Sequence, residues 1–404
     1  MDGRTPPFTR IGIVGVGAIG SGIAQLVSSL GLETVIVAPR PGGVERARQM
    51  MRRCYEGDVR RGRIDAAQAE AGLANIRVTP DYADLAGAEF VIESVPEDLE
   101  IKLDVLRAVE ANAGSDCIFG TNTSSIPIAR IAQGASRPAA VIGMHYFWPA
   151  HRFQLVEISH ATMTSPTTID RTLAMVRWQG KTPLLVRDSP GFFTTRILIP
   201  YVNEAVALLA EGASIEAVDQ AMVDFGWAMG PFRLMDAAGI ETLARVYTSV
   251  RDFMGDRVRH VELLWSVLHA GHVGYKGAQR NADVKGFYLY PEGREADSRI
   301  YPLVRQNSAA PPKEEDIARR PVWQMVNEVA HCLAEGIVAS PEEADLGAVL
   351  GIGWPQSRQG PMAYARQIGP EVIAAQLEAW AAEHGPRFRP SRTLLELSAR
   401  AGLQ

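Results

Sequence analysis

Three groupings of residues in this sequence have the types and spacing that chemistry needs. The first is Gly15-Val16-Gly17-Ala18-Ile19-Gly20, which follows the β-rich run Ile11 to Val14 and opens a helical pattern from Ser21 to Leu30. In that context the glycines let a backbone approach a pyrophosphate, whose charge a helix N-terminus stabilises. Without that context the same spacing is only a tight turn. The second grouping is a set of polar loops: Glu93-Ser94-Val95-Pro96-Glu97, Thr121-Asn122-Thr123-Ser124-Ser125 and Gly143-Met144-His145-Tyr146-Phe147-Trp148-Pro149. Each follows a strand-like run, and ligands of open α/β sheets bind outside the carboxyl ends of strands, so these loops belong to one cleft. The third is His145 with Glu157. Glu157 interrupts the apolar run Leu155-Val156-Glu157-Ile158. A carboxylate there is costly unless paired, and His145 is a partner of the right kind. Such a pair is either a functional unit or a satisfied core pair.

The elements that must position these groups can be read from the hydrophobic pattern. Strand-like runs at Ile11 to Val14, Thr34 to Val37, Phe90 to Ile92, Cys117 to Phe119 and Ala140 to Ile142 alternate with helical patterns. That alternation predicts a parallel, doubly wound sheet. Two helical patterns, Val44 to Arg61 and Asp65 to Gly72, exceed what one crossover needs and suggest a protruding helical hairpin. After Pro190 strand signals nearly vanish and amphipathic helices dominate. There Val202-Asn203-Glu204-Ala205 and Leu209-Ala210-Glu211-Gly212 are echoed by Val326-Asn327-Glu328-Val329 and Leu333-Ala334-Glu335-Gly336, and Ala217-Val218-Asp219 by Glu343-Ala344-Asp345. Two copies of one helical unit are expected, joined by the Pro- and charge-rich stretch Asn307 to Pro321. The expected division is a dinucleotide-binding domain over 1–188, a first helical unit over 189–306, and a linker with a second helical unit over 307–404.

Composition narrows the class. With 404 residues, 47% hydrophobic and 22% charged, the chain can bury sizeable cores. A net charge of −5 gives no reason to expect nucleic acid as a partner. Cys54, Cys117 and Cys332 lie far apart with no metal spacing, so no metal site and a reducing compartment are expected. The polar start of the chain and the lack of a long apolar run point to a cytoplasmic protein without membrane segments.

The same residues resemble the L-3-hydroxyacyl-CoA dehydrogenases nearly end to end. The resemblance is carried by Gly-Val-Gly-Ala-Ile-Gly-Ser-Gly-Ile-Ala (15–24), Thr-Asn-Thr-Ser-Ser (121–125), Gly-Met-His-Tyr-Phe (143–147), Leu-Val-Glu-Ile (155–158), Asp-Ser-Pro-Gly-Phe-Phe (188–193), Phe-Gly-Trp-Ala-Met-Gly-Pro (225–231) and Lys-Gly-Phe-Tyr-Leu-Tyr (285–290). The tandem helical units look most like the dehydrogenase part of multifunctional fatty-acid oxidation enzymes, without their hydratase domain. The likeness implies a Rossmann-type domain and an oxidoreductase that interconverts 3-hydroxyacyl and 3-oxoacyl thioesters. It implies His145 as general acid/base, Glu157 orienting its imidazole, and Ser124 hydrogen-bonding the substrate oxygen. Gly15, Gly17, Ala18, Ile19, Gly20, Glu97 and Lys102 match positions near the cofactor. Arg46, Arg48, Arg52, Arg53, Arg60, Arg61 and Arg63 crowd the hairpin, which in the family helps bind coenzyme A; here they are either phosphate ligands, with Arg53 among them, or a solvated basic face. His160, His269, His272 and His331 read as surface or packing residues. The partner is a small acyl thioester, on coenzyme A or a carrier protein. The chain is expected to be a monomer with pseudo-dimeric C-terminal halves or a homodimer.

Three positions depart from the family pattern. Thr195 stands where an Asn helps align substrate; it keeps one donor and acceptor but lacks the planar amide. Trp148 stands where a small polar residue is common, and its ring is expected to fill space near the acyl or nicotinamide site. The tip of the second strand is Ala38 followed by Arg40, where an acid usually binds the adenosine ribose. That exchange favours NADP over NAD, because a guanidinium suits a 2′-phosphate. Two classes of function are then open: an active oxidoreductase, or a non-catalytic dinucleotide- or acyl-CoA-binding protein that keeps the fold. Joint retention of Ser124, His145 and Glu157 favours the enzyme.

Overall fold

The computed structural model describes residues 6–259, 261–275, 285–290, 295–305 and 311–401. The chain divides into two compact units between Phe192 and Phe193. Among the described residues no helix is long and apolar enough to cross a membrane.

The first unit is built on an eight-stranded sheet: β1 (Arg10–Val14), β2 (Glu33–Val37), β3 (Ile76–Thr79), β4 (Phe90–Glu93), β5 (Ile118–Thr121), β6 (Val141–Tyr146), β7 (Leu155–His160) and β8 (Thr182–Arg187), in the order β3-β2-β1-β4-β5-β6-β7-β8. All neighbours pair in parallel except β6 and β7. The central strands are near-continuous apolar runs because helices cover the sheet, as parallel sheets require. The connecting helices are α1 (Ala18–Ser29), α2 (Gly43–Arg60), α3 (Ala66–Ala74), α4 (Leu99–Asn112), α5 (Ile128–Ala132) and α6 (Pro166–Trp178).

Three features of this unit differ from the sequence reading. Edge strands β3 and β8 were not anticipated; Ile76-Arg77-Val78-Thr79 is only four residues long and follows a helix directly. Strand β6 runs on through Tyr146, so His145 lies within a strand rather than in the loop beyond it. The α2–α3 hairpin does not stand free of the body. Its inner face, with Ala47, Met51 and Tyr55 buried, packs on α1. The Tyr55 hydroxyl lies 2.7 Å from Ser28 Oγ, Gln25 Nε2 donates to Asp58 at 2.9 Å, and a β-carbon on Gly72 would collide with the Tyr55 ring.

The second unit is helical. It opens with α7 (Thr194–Ala210), α8 (Ile215–Phe225), α9 (Pro231–Ala238), α10 (Ile240–Met254) and α11 (Val261–His269) and contains a long helix, Glu314–Ala334, that packs against α7. That helix begins inside the stretch read as a linker. Glu314, Glu315 and Asp316 in its first turn favour the positive end of the helix dipole, and the helix continues through Pro321. The part of the linker at 307–310 lies outside the described residues. One series of devices occurs twice in this unit. Each long helix ends at a glutamate followed by a glycine with positive φ, Gly212 or Gly336. A serine then caps the next helix, Ser214 or Ser340. Finally a buried aspartate binds two backbone N–H groups at the start of a Pro-initiated helix. Asp219 accepts from Phe232 and Arg233, and Asp345 from Met362 and Ala363.

Candidate active site

The β1–α1 turn forms one wall. Gly15 has φ of 98°, and a β-carbon there would come within 2.5 Å of the Ser94 carbonyl oxygen. A β-carbon on Gly20 would strike Gly15 O at 2.0 Å, so both positions admit only glycine. Gly17 differs: a β-carbon there would meet nothing within 4 Å, and as N-cap of α1 it provides no side-chain cap. The α1 N-terminus therefore opens into free space with uncapped N–H donors, which fits a dinucleotide pyrophosphate. Ala18 is exposed and Ile19 half-buried beside it.

At the tip of β2, Ala38 is buried, with its N–H on Thr79 O at 2.8 Å, while Pro39 and Arg40 are exposed. Gly42, at φ of 67°, turns the chain into α2, and Arg46 Nη2 donates back to Pro41 O at 2.8 Å. Positions 38–44, which follow the strand, carry no acidic residue.

The polar ends of β4 and β5 are joined by a chain of charge. Glu93 is fully buried at the end of β4 and accepts from Lys102 Nζ at 2.9 and 3.1 Å, from Thr121 Oγ1 at 2.6 Å and from Val95 N at 2.6 Å. Lys102, on α4 and also fully buried, lies 3.5 Å from Glu97. Glu97 Oε1 accepts from Thr123 Oγ1 (2.6 Å), Ser124 N (3.0 Å), Ser125 N (2.9 Å), Ser125 Oγ (2.9 Å) and, at 3.4 Å, Ser124 Oγ. Partial burial pushes the Glu97 carboxyl up, but Lys102 and these donors outweigh it and hold the group below the ordinary carboxylate range. Sequence reasoning matched both Glu97 and Lys102 to the cofactor. The structure puts the Lys102 ammonium out of solvent, held by the carboxylates of Glu93 and Glu97. Glu93 had been given no role, although it is a carboxylate ending an apolar strand, the same signal that singled out Glu157.

His145 and Glu157 face each other across the antiparallel β6–β7 pair. Both are buried, and His145 Nδ1 lies 2.9 Å from Glu157 Oε2. A carboxylate oxygen accepts, so Nδ1 carries the hydrogen. The imidazole is flanked by aromatic rings, Phe147 at 4.6 Å and Phe192 at 6.3 Å between centroids. Asn122 ties the end of β6 to that of β4, accepting from Tyr146 N at 2.9 Å and donating to Ser94 Oγ at 3.4 Å. The structure thus gathers the glycine turn, Glu97, Ser124 and the His145–Glu157 pair at the strand ends of one unit.

The remaining residues singled out in the sequence are placed as follows. Trp148 precedes a cis peptide to Pro149 and is 64% exposed. Thr195 is half-buried on the first turn of α7, in the second unit. Arg46, Arg48, Arg52, Arg53, Arg60, Arg61 and Arg63 are all exposed. His160 is half-buried and His269 exposed. His272 is buried with Nδ1 3.1 Å from Gly286 O, and burial together with Arg257 and Arg196 pushes His331 down to about 4.

Residues 10–189 match the family model described as the NAD-binding domain of 3-hydroxyacyl-CoA dehydrogenase, and residues 191–288 match the C-terminal domain of the same family. The chain is similar to the crystal structure of (S)-3-hydroxybutyryl-CoA dehydrogenase PaaH1 from Ralstonia eutropha, with 32% identity and a TM-score of 0.66 over 70% of this chain and 99% of that one. The dehydrogenase part of a multifunctional enzyme from C. elegans matches at 25% identity and a TM-score of 0.65, covering 96% of this chain and 89% of that one. A 3-hydroxybutyryl-CoA dehydrogenase from Escherichia coli shares the fold along 98% of this chain and 100% of its own, with a TM-score of 0.87 at 24% identity.

Proposed function

Because the chain belongs to the 3-hydroxyacyl-CoA dehydrogenase family of nicotinamide-dependent oxidoreductases, we propose that it interconverts a 3-hydroxyacyl and a 3-oxoacyl thioester with His145 as general acid/base. The observation that carries this reading is the buried His145–Glu157 pair at the strand ends, beside the Ser124 loop. With Nδ1 held by Glu157, Nε2 is the nitrogen that takes the substrate hydroxyl proton in oxidation and returns it in reduction. Glu157 stabilises the imidazolium formed in between. Ser124, fixed by two bonds to Glu97, hydrogen-bonds the substrate oxygen. Lys102, itself held by Glu93, steadies the second oxygen of Glu97 from behind, so that the Ser124 backbone keeps its place. Nicotinamide dinucleotide, when bound, supplies the hydride acceptor or donor.

The thioester is assigned to coenzyme A rather than to a carrier protein, since the exposed arginines of α2, Arg53 among them, suit its phosphates. The cofactor is assigned as the 2′-phosphorylated form, on Ala38 and Arg40. Absorbance at the reduced-nicotinamide band, followed with acetoacetyl-CoA and NADPH or NADH, tests the whole reading. Oxidation of the reduced cofactor is expected, faster with NADPH. Tight binding of cofactor and acyl-CoA with no turnover on 3-oxoacyl-CoA substrates of any chain length would instead identify a non-catalytic binding protein.

A further inference from the structure

The turn Asp188–Phe192, which closes the first unit after β8, carries a strained backbone. Phe192 has φ of 50°, a left-handed conformation that a bulky residue rarely adopts, yet its side chain is fully buried. Its neighbour Gly191, at φ of 75°, already supplies flexibility to the turn. A non-glycine residue persists in this region only where its surroundings over-determine it, and such residues gather at functional sites.

The surroundings do so here from two sides. On one side the turn is sewn to the segment that carries Ser124. The Asp188 carboxylate accepts from Ile128 N and Ala129 N, both at 2.8 Å, and Gly191 N donates to Ser125 O at 3.3 Å. On the other side the Phe192 ring stands 6.3 Å from the His145 imidazole, which Phe147 flanks at 4.6 Å and which Phe153, 6.0 Å from Phe147, backs in turn. One hydrogen bond to Glu157 fixes a single corner of the imidazole and leaves the ring free to tilt. We infer that Phe192 is a positioning residue: the strained turn holds its ring beside His145 and, through Asp188 and Gly191, ties the spacing of His145 and Ser124 to one piece of chain. This rests on the reading of His145 as the acid/base. Ångström-scale misplacement of such a group costs about 10²-fold in rate.

Steady-state kinetics of the full chain with acetoacetyl-CoA test the inference. Phe192→Gly keeps the left-handed backbone accessible and removes the ring. Its kcat is expected to fall by about ten- to a hundredfold with KM for the cofactor unchanged. Phe192→Leu, which restores apolar bulk, is expected to recover most of that loss. Asp188→Asn, which loosens the far end of the turn, is expected to lower kcat with the same unchanged KM. A purely structural residue would lower the unfolding temperature in these variants without changing kcat per folded molecule, and that result overturns the inference. If Phe192→Gly does not fold, unchanged kcat in Asp188→Asn overturns it equally. Failure of the acid/base reading shows separately, as retained activity in His145→Gln.

Discussion

Arg196 and Arg320 each bind the pair of glutamates carried by the other's helix. Arg196, on α7, donates to Glu328 at 2.6 Å and to Glu335 at 2.7 and 2.8 Å. Arg320, on the helix Glu314–Ala334, donates to Glu204 and, at 2.6 and 2.8 Å, to Glu211. Each cluster has a second guanidinium, Arg257 on Glu328 and Arg387 on Glu204, both at 2.8 Å. The four glutamates of the reciprocal pairs are repeated residues of the sequence, so the duplication is expressed as mutual charge pairing between its two long helices.

Breaking such a pair leaves an uncompensated buried charge, which costs about 3–5 kcal/mol. Arg320→Met is expected to lower the unfolding free energy in urea by that amount. The pairing also sets an acid limit. Burial pushes the Glu204 carboxyl up, but Arg387 and Arg320 outweigh burial and hold it at about 2, against an ordinary value of 4.5. A carboxyl depressed in the folded state binds its proton more readily when unfolded. Its stabilisation, roughly 3 kcal/mol, is therefore complete above pH 4.5 and lost as pH falls towards 2. Glu204→Gln should flatten the unfolding profile over that window; an unchanged slope would show that Glu204 does not titrate as described.

Removing the second copy tests the same relationship. A chain ending before Pro311 leaves Arg196 without Glu328 and Glu335, and Glu204 and Glu211 without Arg320. In a second molecule, Glu204 and Glu211 hold the positions of Glu328 and Glu335. The truncated chain is expected to dimerise through these groups, read by light scattering on a sizing column. A well-behaved monomer would contradict it.

His145→Gln removes the proton-transfer group and keeps a side chain of similar reach. Turnover is expected to fall by about 10²–10⁴-fold while cofactor affinity changes little. Near-wild-type turnover would sink the proposed mechanism.

How much of this was legible depended on whether a residue's partner lay within reach of a local rule. The His145–Glu157 pair could be read because a lone carboxylate in an apolar run demands a partner, and the partner was a neighbouring motif. The same rule applied to Glu93 would have found the Lys102 pairing. Its partners come from a helix and from the next strand, however, and a lysine at helical spacing reads as solvated. Strand β6 was read short because Gly143 and His145 interrupt its apolar pattern, although both are buried between β5 and β7. Trp148 was read from its size and its departure from the family pattern, and neither tells how exposed a turn residue is. The helix start at Glu314 was hidden by Pro321, whose ring normally marks a boundary. The strain at Phe192 has no sequence signature, since phenylalanine is not a residue that left-handed backbone selects.

One expectation for Thr195 is that its hydroxyl takes over the aligning role that the family resemblance gives to an asparagine at this position. If it does, Thr195→Val should lose roughly 1–3 kcal/mol of transition-state stabilisation, seen as a fall in kcat/KM. If it does not, Thr195→Asn should raise activity on acetoacetyl-CoA. Identical kinetics in both variants would remove the position from the mechanism.

Cofactor choice is expected to turn on Ala38 and Arg40. An acid at the tip of β2 would accept hydrogen bonds from the ribose hydroxyls of NAD and repel the 2′-phosphate of NADP. Ala38 does neither, and positions 38–44 carry no acidic residue. Arg40 is exposed two residues on, beyond Pro39, whose ring narrows the backbone freedom between them. The turn that follows is fixed by Gly42 and by Gly43 N on Arg40 O at 2.7 Å, while Arg46 reaches back to Pro41 and adds a second cation. A guanidinium in this place can offer a planar, permanently charged fork to a phosphate. A hydrogen bond to a charged group contributes about 1.5–3 kcal/mol, so Arg40→Ala should raise KM for NADPH about tenfold or more and leave NADH nearly unchanged. Ala38→Asp should move the preference towards NADH. A wild-type chain that prefers NADH, with neither KM altered in Arg40→Ala, would mean that Arg40 is a solvated turn residue and that the site is an NAD site lacking its ribose carboxylate.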